Sequence, residues 1–210
     1  MIEAAAAGGR RDHWDAVYSR LGAEGVSWHE DAPTASLELI RRVRAGPDDP
    51  IIDIGGGAAR VVDELLVGGA HDVTVLDLSP LALAAARERL GSAAERVKWI
   101  VADVLDWKPP HRYAVWHDRA FFHFLVERDE RRRYLETVAS GLRHGGHAIV
   151  GTFAPGGPER CSGLPVARWD PAGIAAEFGA GFIRVDELRT EHVTPGGTIQ
   201  PLAWAVLRRL

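Results

Sequence analysis

The run Ile51-Ile52-Asp53-Ile54-Gly55-Gly56-Gly57 joins an apolar strand, an acid near its end and a turn made only of glycine. Such a turn lets backbone amides approach a ligand that side chains would block. A second apolar run, Val73-Thr74-Val75-Leu76-Asp77, also ends on an acid, suited to accept hydrogen bonds from both hydroxyls of a ribose. Together they point to a nucleoside-containing cofactor. A third set, His117-Asp118-Arg119, follows the apolar run Tyr113-Ala114-Val115-Trp116. A histidine there can take a proton from an amine or thiol nucleophile, and an arginine can hold a carboxylate. Other readings stand beside these. Asp118 can cap the following helix and pair with Arg119, and His123 can face the same pocket or be a hydrogen-bonded helix residue.

These residues need strands that end together. The pattern predicts strands at 50–54, 72–77, 97–102, 113–117 and 146–152, with helices at 59–68, 80–90, 129–142 and 171–178. Alternating βα units with apolar strands imply a parallel sheet covered on both faces. Two more strands, at 181–189 and 201–208, read as an antiparallel pair at one sheet edge. Before the sheet, Asp12 to Leu21 reads as a helix with Trp14, Val17, Tyr18 and Leu21 on one face. Thr34 or Ser36 is placed to cap a second helix through Val43. The Ala/Gly-rich segment Met1 to Arg11 reads as a frayed tail without an apolar signal core. The fold class expected is α/β: a Rossmann-like, mostly parallel seven-stranded sheet with helices on both faces. A single domain is expected over 1–210. It comprises an N-terminal helical cap (1–45), a cofactor-binding core (50–152), and a substrate-side loop with C-terminal edge strands (153–210).

What the glycine turn lacks narrows the cofactor class, and a family resemblance then names it. A nicotinamide fingerprint places a third glycine where this chain has Arg60, and no Gly-Lys-Ser/Thr follows as a phosphate loop would require. Asp53-Ile54-Gly55-Gly56-Gly57, with Ala59 at the last glycine position, resembles the first motif of class I S-adenosylmethionine-dependent methyltransferases. Leu76-Asp77-Leu78-Ser79 resembles the second and Val101-Ala102-Asp103-Val104 the third. The chain is also similar to a bacterial group of small methyltransferases through Ser27-Trp28, His117 to Leu125, Gly157 to Leu164 and His192 to Pro195. The resemblance implies S-adenosyl-L-methionine as cofactor and S-adenosyl-L-homocysteine as product. It implies a cofactor site of Trp28, Asp53, Gly55, Gly56, Gly57, Asp77 on the ribose, Leu78 on the adenine, Ser79, Asp103 at the adenine amino group, Val104 and His117. His117, Asp118 and His123 are the catalytic candidates, and Arg119, Cys161 and Leu164 the acceptor-side ones. His117-Asp118-Arg119 also stands where a set of lysine methyltransferases carries Asp-Lys-Gly, without matching it.

Methyl transfer from a sulfonium needs positioning more than covalent help. Trp28, with Tyr18 or Trp14, can serve as an aromatic lid holding the sulfonium, or the three can simply pack the first helix on the sheet. Cys161 reads as a semi-buried loop thiol rather than a nucleophile. The remaining expectations are exclusions. A net charge of −4 argues against nucleic-acid and anionic-membrane partners, and Arg131-Arg132-Arg133 reads as a solvated helix face. No apolar run approaches the roughly 20 residues of a membrane span. Histidine spacing suggests no metal, and the single cysteine excludes an intrachain disulfide, so a cytoplasmic setting is expected. A small-molecule acceptor is expected, in a monomer or homodimer. The alternatives are a protein-lysine methyltransferase and a non-catalytic nucleoside-binding protein.

Overall fold

The computed structural model describes residues 7–44 and 46–210. Helix α1 (Ala7–Leu21) and α2 (Thr34–Val43) precede the sheet. There follow β1 (Ile51–Ile54), α3 (Val61–Val67), β2 (Val73–Asp77), α4 (Pro80–Leu90), β3 (Val97–Val101), β4 (Tyr113–Arg119), α5 (Arg128–Gly141) and β5 (Leu142–Phe153). A short hairpin of β6 (Arg160–Cys161) and β7 (Leu164–Pro165) leads to α6 (Pro171–Phe178), β8 (Phe182–Val193) and β9 (Ile199–Arg209). The large sheet runs β3-β2-β1-β4-β5-β9-β8. Its first five strands are parallel, and β9 lies antiparallel to both β5 and β8. This is the expected architecture, including the antiparallel edge pair.

Each strand buries alternate residues on opposite faces, so the sheet splits the core in two. Ile51, Val75, Val115, Ile149 and Trp204 pack with Leu39 and Ile40 of α2 and Val62 and Leu65 of α3. Ile52, Leu76, Trp116, Ala148 and Leu207 pack with Tyr134 and Val138 of α5 and Ile174 of α6. The chain order reverses between β1 and β4. Connections leave that point in opposite directions, opening a crevice at the strands' C-terminal ends.

Two expectations change, and a third, the solvated face of α5, holds for Arg132 and Arg133 while Arg131 is largely covered. The segment expected to fray lies partly outside the described residues (1–6), but from Ala7 it is helical, and Arg10 reaches across to Asp103 and Glu130. Neither Thr34 nor Ser36 caps α2. Pro33 holds the N-cap position, and Ser36 is buried without a hydrogen-bond partner among the described residues. The arginines of α5 are engaged within the chain. Arg131 donates to Glu177 and to the Leu125 and Val126 carbonyls, Arg132 pairs with Glu136 and Arg133 with Asp106. Among the described residues no helix is long and apolar enough to cross a membrane, and no cluster is placed to hold a metal ion.

Candidate active site

The glycine turn after β1 is shaped by two different demands. Gly55 and Gly57 adopt φ of +63° and +45°, which L side chains rarely tolerate. Gly56 has no such backbone; it is excluded from carrying a side chain by what lies beneath it. A β-carbon there would stand 2.6 Å from Asp53 Oδ2 and 2.8 Å from Val75 Cγ1. The turn is tied to β2, since Gly55 N donates to the Leu76 carbonyl at 2.8 Å.

Asp77 sits at the adjoining strand end, its Oδ1 accepting from Ser79 N at 2.8 Å. Burial pushes this carboxyl up to about 7, with the Ser79 amide opposing the rise and the charge of Asp53 adding to it. Ser79 caps α4 by accepting from Ala82 N, and its hydroxyl donates to Asp15 Oδ1 of α1 at 2.5 Å. Leu78 is partly exposed beside it. Asp103, beyond β3, accepts from Leu105 N at 3.0 Å and pairs with Arg10 at 2.6 Å, while Val104 is buried in the core.

Helix α1 therefore lies across the ends of β1, β2 and β3. Its residues Arg10, Trp14 and Tyr18 recur every fourth position, so one face meets the cleft. The Tyr18 hydroxyl lies 2.7 Å from where a Gly57 β-carbon would be. Burial, with Asp77 nearby, raises its pKa. Trp28 meets Trp14 and Tyr18 edge to face at 5.7 and 5.9 Å. Tyr18 thus covers the glycine turn directly. Both readings of Tyr18, lid and packing, hold together, and Arg10, Asp15 and Glu30 join it as residues the motifs do not single out. The i, i+4, i+8 spacing from Arg10 was the available signal.

At the crevice, β1 and β4 run in register with Asp53 opposite His117. Their side chains share a face, and His117 Nδ1 donates to Asp53 Oδ1 at 2.7 Å. The imidazole is buried, with its ring stacked toward Trp204 at 6.3 Å and its Nε2 unpartnered among the described residues. Both members of the pair line a cavity of about 30 Å³, together with Tyr18, Trp28 and Arg119. An open cleft of about 510 Å³ shares Ala23, His29 and Arg60 with that cavity's wall.

The other members of the His117-to-Leu125 segment go elsewhere. Asp118 points to the opposite face, where it accepts from Phe121 N, Phe122 N and, at 2.5 Å, the Tyr134 hydroxyl. It caps the short turn there and does not pair with Arg119. Burial raises its carboxyl to about 6 in the fold, the Tyr134 hydroxyl opposing the rise. The folded chain therefore holds this proton at higher pH than the unfolded chain, and stability falls as pH rises from about 4 to about 6. Asp118→Ala is expected to cost about 3 kcal/mol by leaving Tyr134 and two amides unsatisfied. Asp118→Asn should cost less and flatten the pH dependence; denaturant melts at pH 4 to 7 check both.

His123 lies among Phe124 and Phe153 rings at 4.5 and 4.7 Å, without a partner for either nitrogen among the described residues. Burial, then the charge of Arg119, lowers it to about 3, so it stays neutral through the physiological range. Arg119 donates to the Trp28 carbonyl at 2.9 Å and pairs with Glu30 at 2.8 Å. His192, near the end of β8, donates from Nε2 to the Ser27 carbonyl at 2.7 Å and sets Nδ1 3.4 Å from Glu30. Cys161 is buried beside Ser27, and burial pushes its thiol up to about 11, while Leu164 pairs with it across the hairpin. The structure thus gathers Trp28, Asp53, Gly55, Gly56, His117 and Arg119 around one cavity. Asp118 and His123 lie apart from it.

Residues 51–146 match the family model described as a methyltransferase domain. Over 208 residues the chain is 24% identical to human EEF1A lysine methyltransferase 2, covering 90% of this chain and 80% of that protein. An S-adenosylmethionine-dependent methyltransferase from Anabaena variabilis superposes with a TM-score of 0.76 at 16% identity, over 99% of this chain and 96% of that one. A Burkholderia thailandensis 1,6-didemethyltoxoflavin-N1-methyltransferase, solved with 1,6-didemethyltoxoflavin and S-adenosylhomocysteine, superposes with a TM-score of 0.70 at 20% identity, over 100% and 93%.

Proposed function

We propose that this methyltransferase takes its methyl group from S-adenosylmethionine and transfers it to a nucleophilic nitrogen, sulfur or oxygen of a small molecule. The observation that carries the reading is the row of Asp53, Asp77 and Asp103 at consecutive strand ends, beside a glycine turn at the sheet's reversal point. Asp77 would hold the ribose diol, with Leu78 and Val104 flanking the adenine and Asp103 near its amino group. Trp28 and Tyr18 offer aromatic faces to the sulfonium, an attraction of roughly 0.5–2 kcal/mol. Arg60 lines the same cavity, with Nη2 3.4 Å from Glu24 and Nε buried and unpartnered among the described residues, and would meet the methionine carboxylate by exchanging Glu24 for it.

An adenosyl cofactor is far larger than the cavity under α1. Entry therefore requires α1 and the Ala23-to-Pro33 segment to part from the glycine turn, with the adjoining cleft as the route. An enclosed, partly aromatic site suits a small acceptor. The likeness to a lysine methyltransferase supports a second reading, in which a protein lysine enters by the same route. Titration calorimetry with S-adenosylmethionine and S-adenosylhomocysteine tests the cofactor, one-to-one saturation being expected. Labelled methyl transfer to amine, thiol, hydroxyl and lysine-peptide panels then separates the acceptors. Absence of any heat of binding would sink the reading.

A further inference from the structure

We propose that Asp53 and His117 form a carboxylate–imidazole dyad in which His117 removes the proton of the methyl acceptor and Asp53 is its positioning residue. The inference rests on the methyl-transfer reading and goes beyond it by naming the acceptor class: an atom that carries a proton in its resting form, such as an ammonium, a thiol or a hydroxyl.

The argument starts from the sheet. Parallel register sets Asp53 beside His117 on one face, and the Nδ1 to Oδ1 distance is 2.7 Å. A carboxylate can only accept, so Nδ1 carries a proton, and in the neutral ring Nε2 keeps its lone pair. That Nε2 is buried and unpartnered among the described residues, on a ring that lines the cavity. An unmatched nitrogen alone does not mark the site, since His123 leaves both of its own unpartnered; His117 differs in that Asp53 holds its Nδ1 and its ring lines the cavity. His192 in this chain is the structural pattern, since each of its nitrogens faces an acceptor.

The surroundings hold the pair in place. Gly56 lies over the Asp53 carboxylate, where any side chain would displace it. Trp204 backs the imidazole, and it reaches that position because Gly151 leaves room for its ring. The charged groups around the dyad are Asp77 of β2, Asp118 and Arg119 of β4, Glu30 from the segment before α2, and Arg60 of the cavity wall. The neighbouring strands β5 and β9 present Ile149 and Trp204.

In the step, proton loss to Nε2 comes first for an ammonium, freeing its lone pair, and accompanies attack for a thiol or hydroxyl; the lone pair forms the new bond to the methyl carbon as the carbon–sulfur bond breaks. The bonding pair remains on sulfur, giving neutral S-adenosylhomocysteine. The acceptor proton passes to Nε2, the imidazolium is stabilised by Asp53, and the proton leaves to water on product release. General-base help of this kind contributes about 10²–10⁴-fold.

Two measurements test the dyad. Nitrogen-15 NMR of imidazole-labelled protein with S-adenosylhomocysteine is expected to show His117 protonated on Nδ1. A ring protonated on Nε2 overturns the proposal, and this readout needs no acceptor. Labelled-methyl turnover is then followed on benzylamine, phenol and 2-phenylethanethiol, against N,N-dimethylaniline and thioanisole, whose accepting atoms carry no proton at neutral pH. His117→Gln and Asp53→Asn are expected to lose about a hundredfold or more in kcat at saturating S-adenosylmethionine, a loss read separately from any change in S-adenosylhomocysteine affinity measured by calorimetry. In Asp53→Asn the acid limb of kcat/KM should move to lower pH, because an amide cannot stabilise the imidazolium. Undiminished turnover in the variants, or methylation confined to the two proton-free acceptors, overturns the dyad. Wild-type protein that binds no S-adenosylhomocysteine overturns the methyl-transfer reading instead, and the tautomer still decides the dyad.

Discussion

Asp77→Ala is expected to weaken S-adenosylmethionine binding by on the order of a hundredfold, about 3 kcal/mol, with the fold retained. Two ribose hydroxyls would donate to this one carboxylate, and hydrogen bonds to a charged group contribute roughly 1.5–3 kcal/mol each. The same residue makes cofactor affinity depend on pH. Burial raises Asp77 to about 7, so near neutrality much of it is protonated and a poorer acceptor for a diol. Ligation favours the ionised form. Affinity should therefore fall as pH is lowered through 7, approaching tenfold per unit below it. The Asp77→Ala variant should lack that slope. Calorimetry between pH 6 and 8.5 checks both statements, and near wild-type affinity in the variant would remove Asp77 from the site.

Gly57→Val is the second large effect, expected to abolish detectable cofactor binding while leaving a folded, less stable protein. A β-carbon at this position would stand 2.7 Å from the Tyr18 hydroxyl and 3.1 Å from Asp77 Oδ2. The φ of +45° adds strain of about 1–3 kcal/mol for a β-branched residue. For a chain of this size that is a fall in Tm of roughly 3–10 °C. Circular dichroism melts and calorimetry on one preparation separate the two consequences. Gly56→Ala makes an informative contrast. Its backbone is unstrained, so its damage comes from displacing the Asp53 carboxylate, and turnover should suffer more than cofactor affinity. Intact binding by Gly57→Val would show that the ligand approaches from elsewhere.

Much of the scaffold was legible because it is encoded locally. Strands β1, β2 and β3 and helices α4 and α6 fall within a residue or so of the positions read from alternation and turn residues. Errors arose at ends governed by distant contacts. Helix α1 is already helical at Ala7, ahead of the Asp12 read from the sequence, and its Arg10 is held by Asp103, more than ninety positions away. Strand β5 begins at Leu142, ahead of the apolar run that announced it, where Leu142 aligns with Tyr113 of β4. The acids at strand ends were equally visible, since each one closes a hydrophobic run.

What the residues of the site do to one another was not visible in the same way. His117, Asp118 and His123 stood together in one segment as equal candidates. One residue of offset along β4 sends His117 to the Asp53 side of the sheet and Asp118 to Tyr134 on the other. His123 ends in an apolar cage because the turn after β4 carries it toward Phe153. By itself the sequence determined an α/β sheet, a glycine turn and a row of carboxylates, because periodicity and backbone freedom belong to short stretches of chain. Only the tertiary structure decided which histidine meets which acid, and that α1 covers the turn. Those outcomes depend on strand order, register and burial, which arise between segments far apart in the chain.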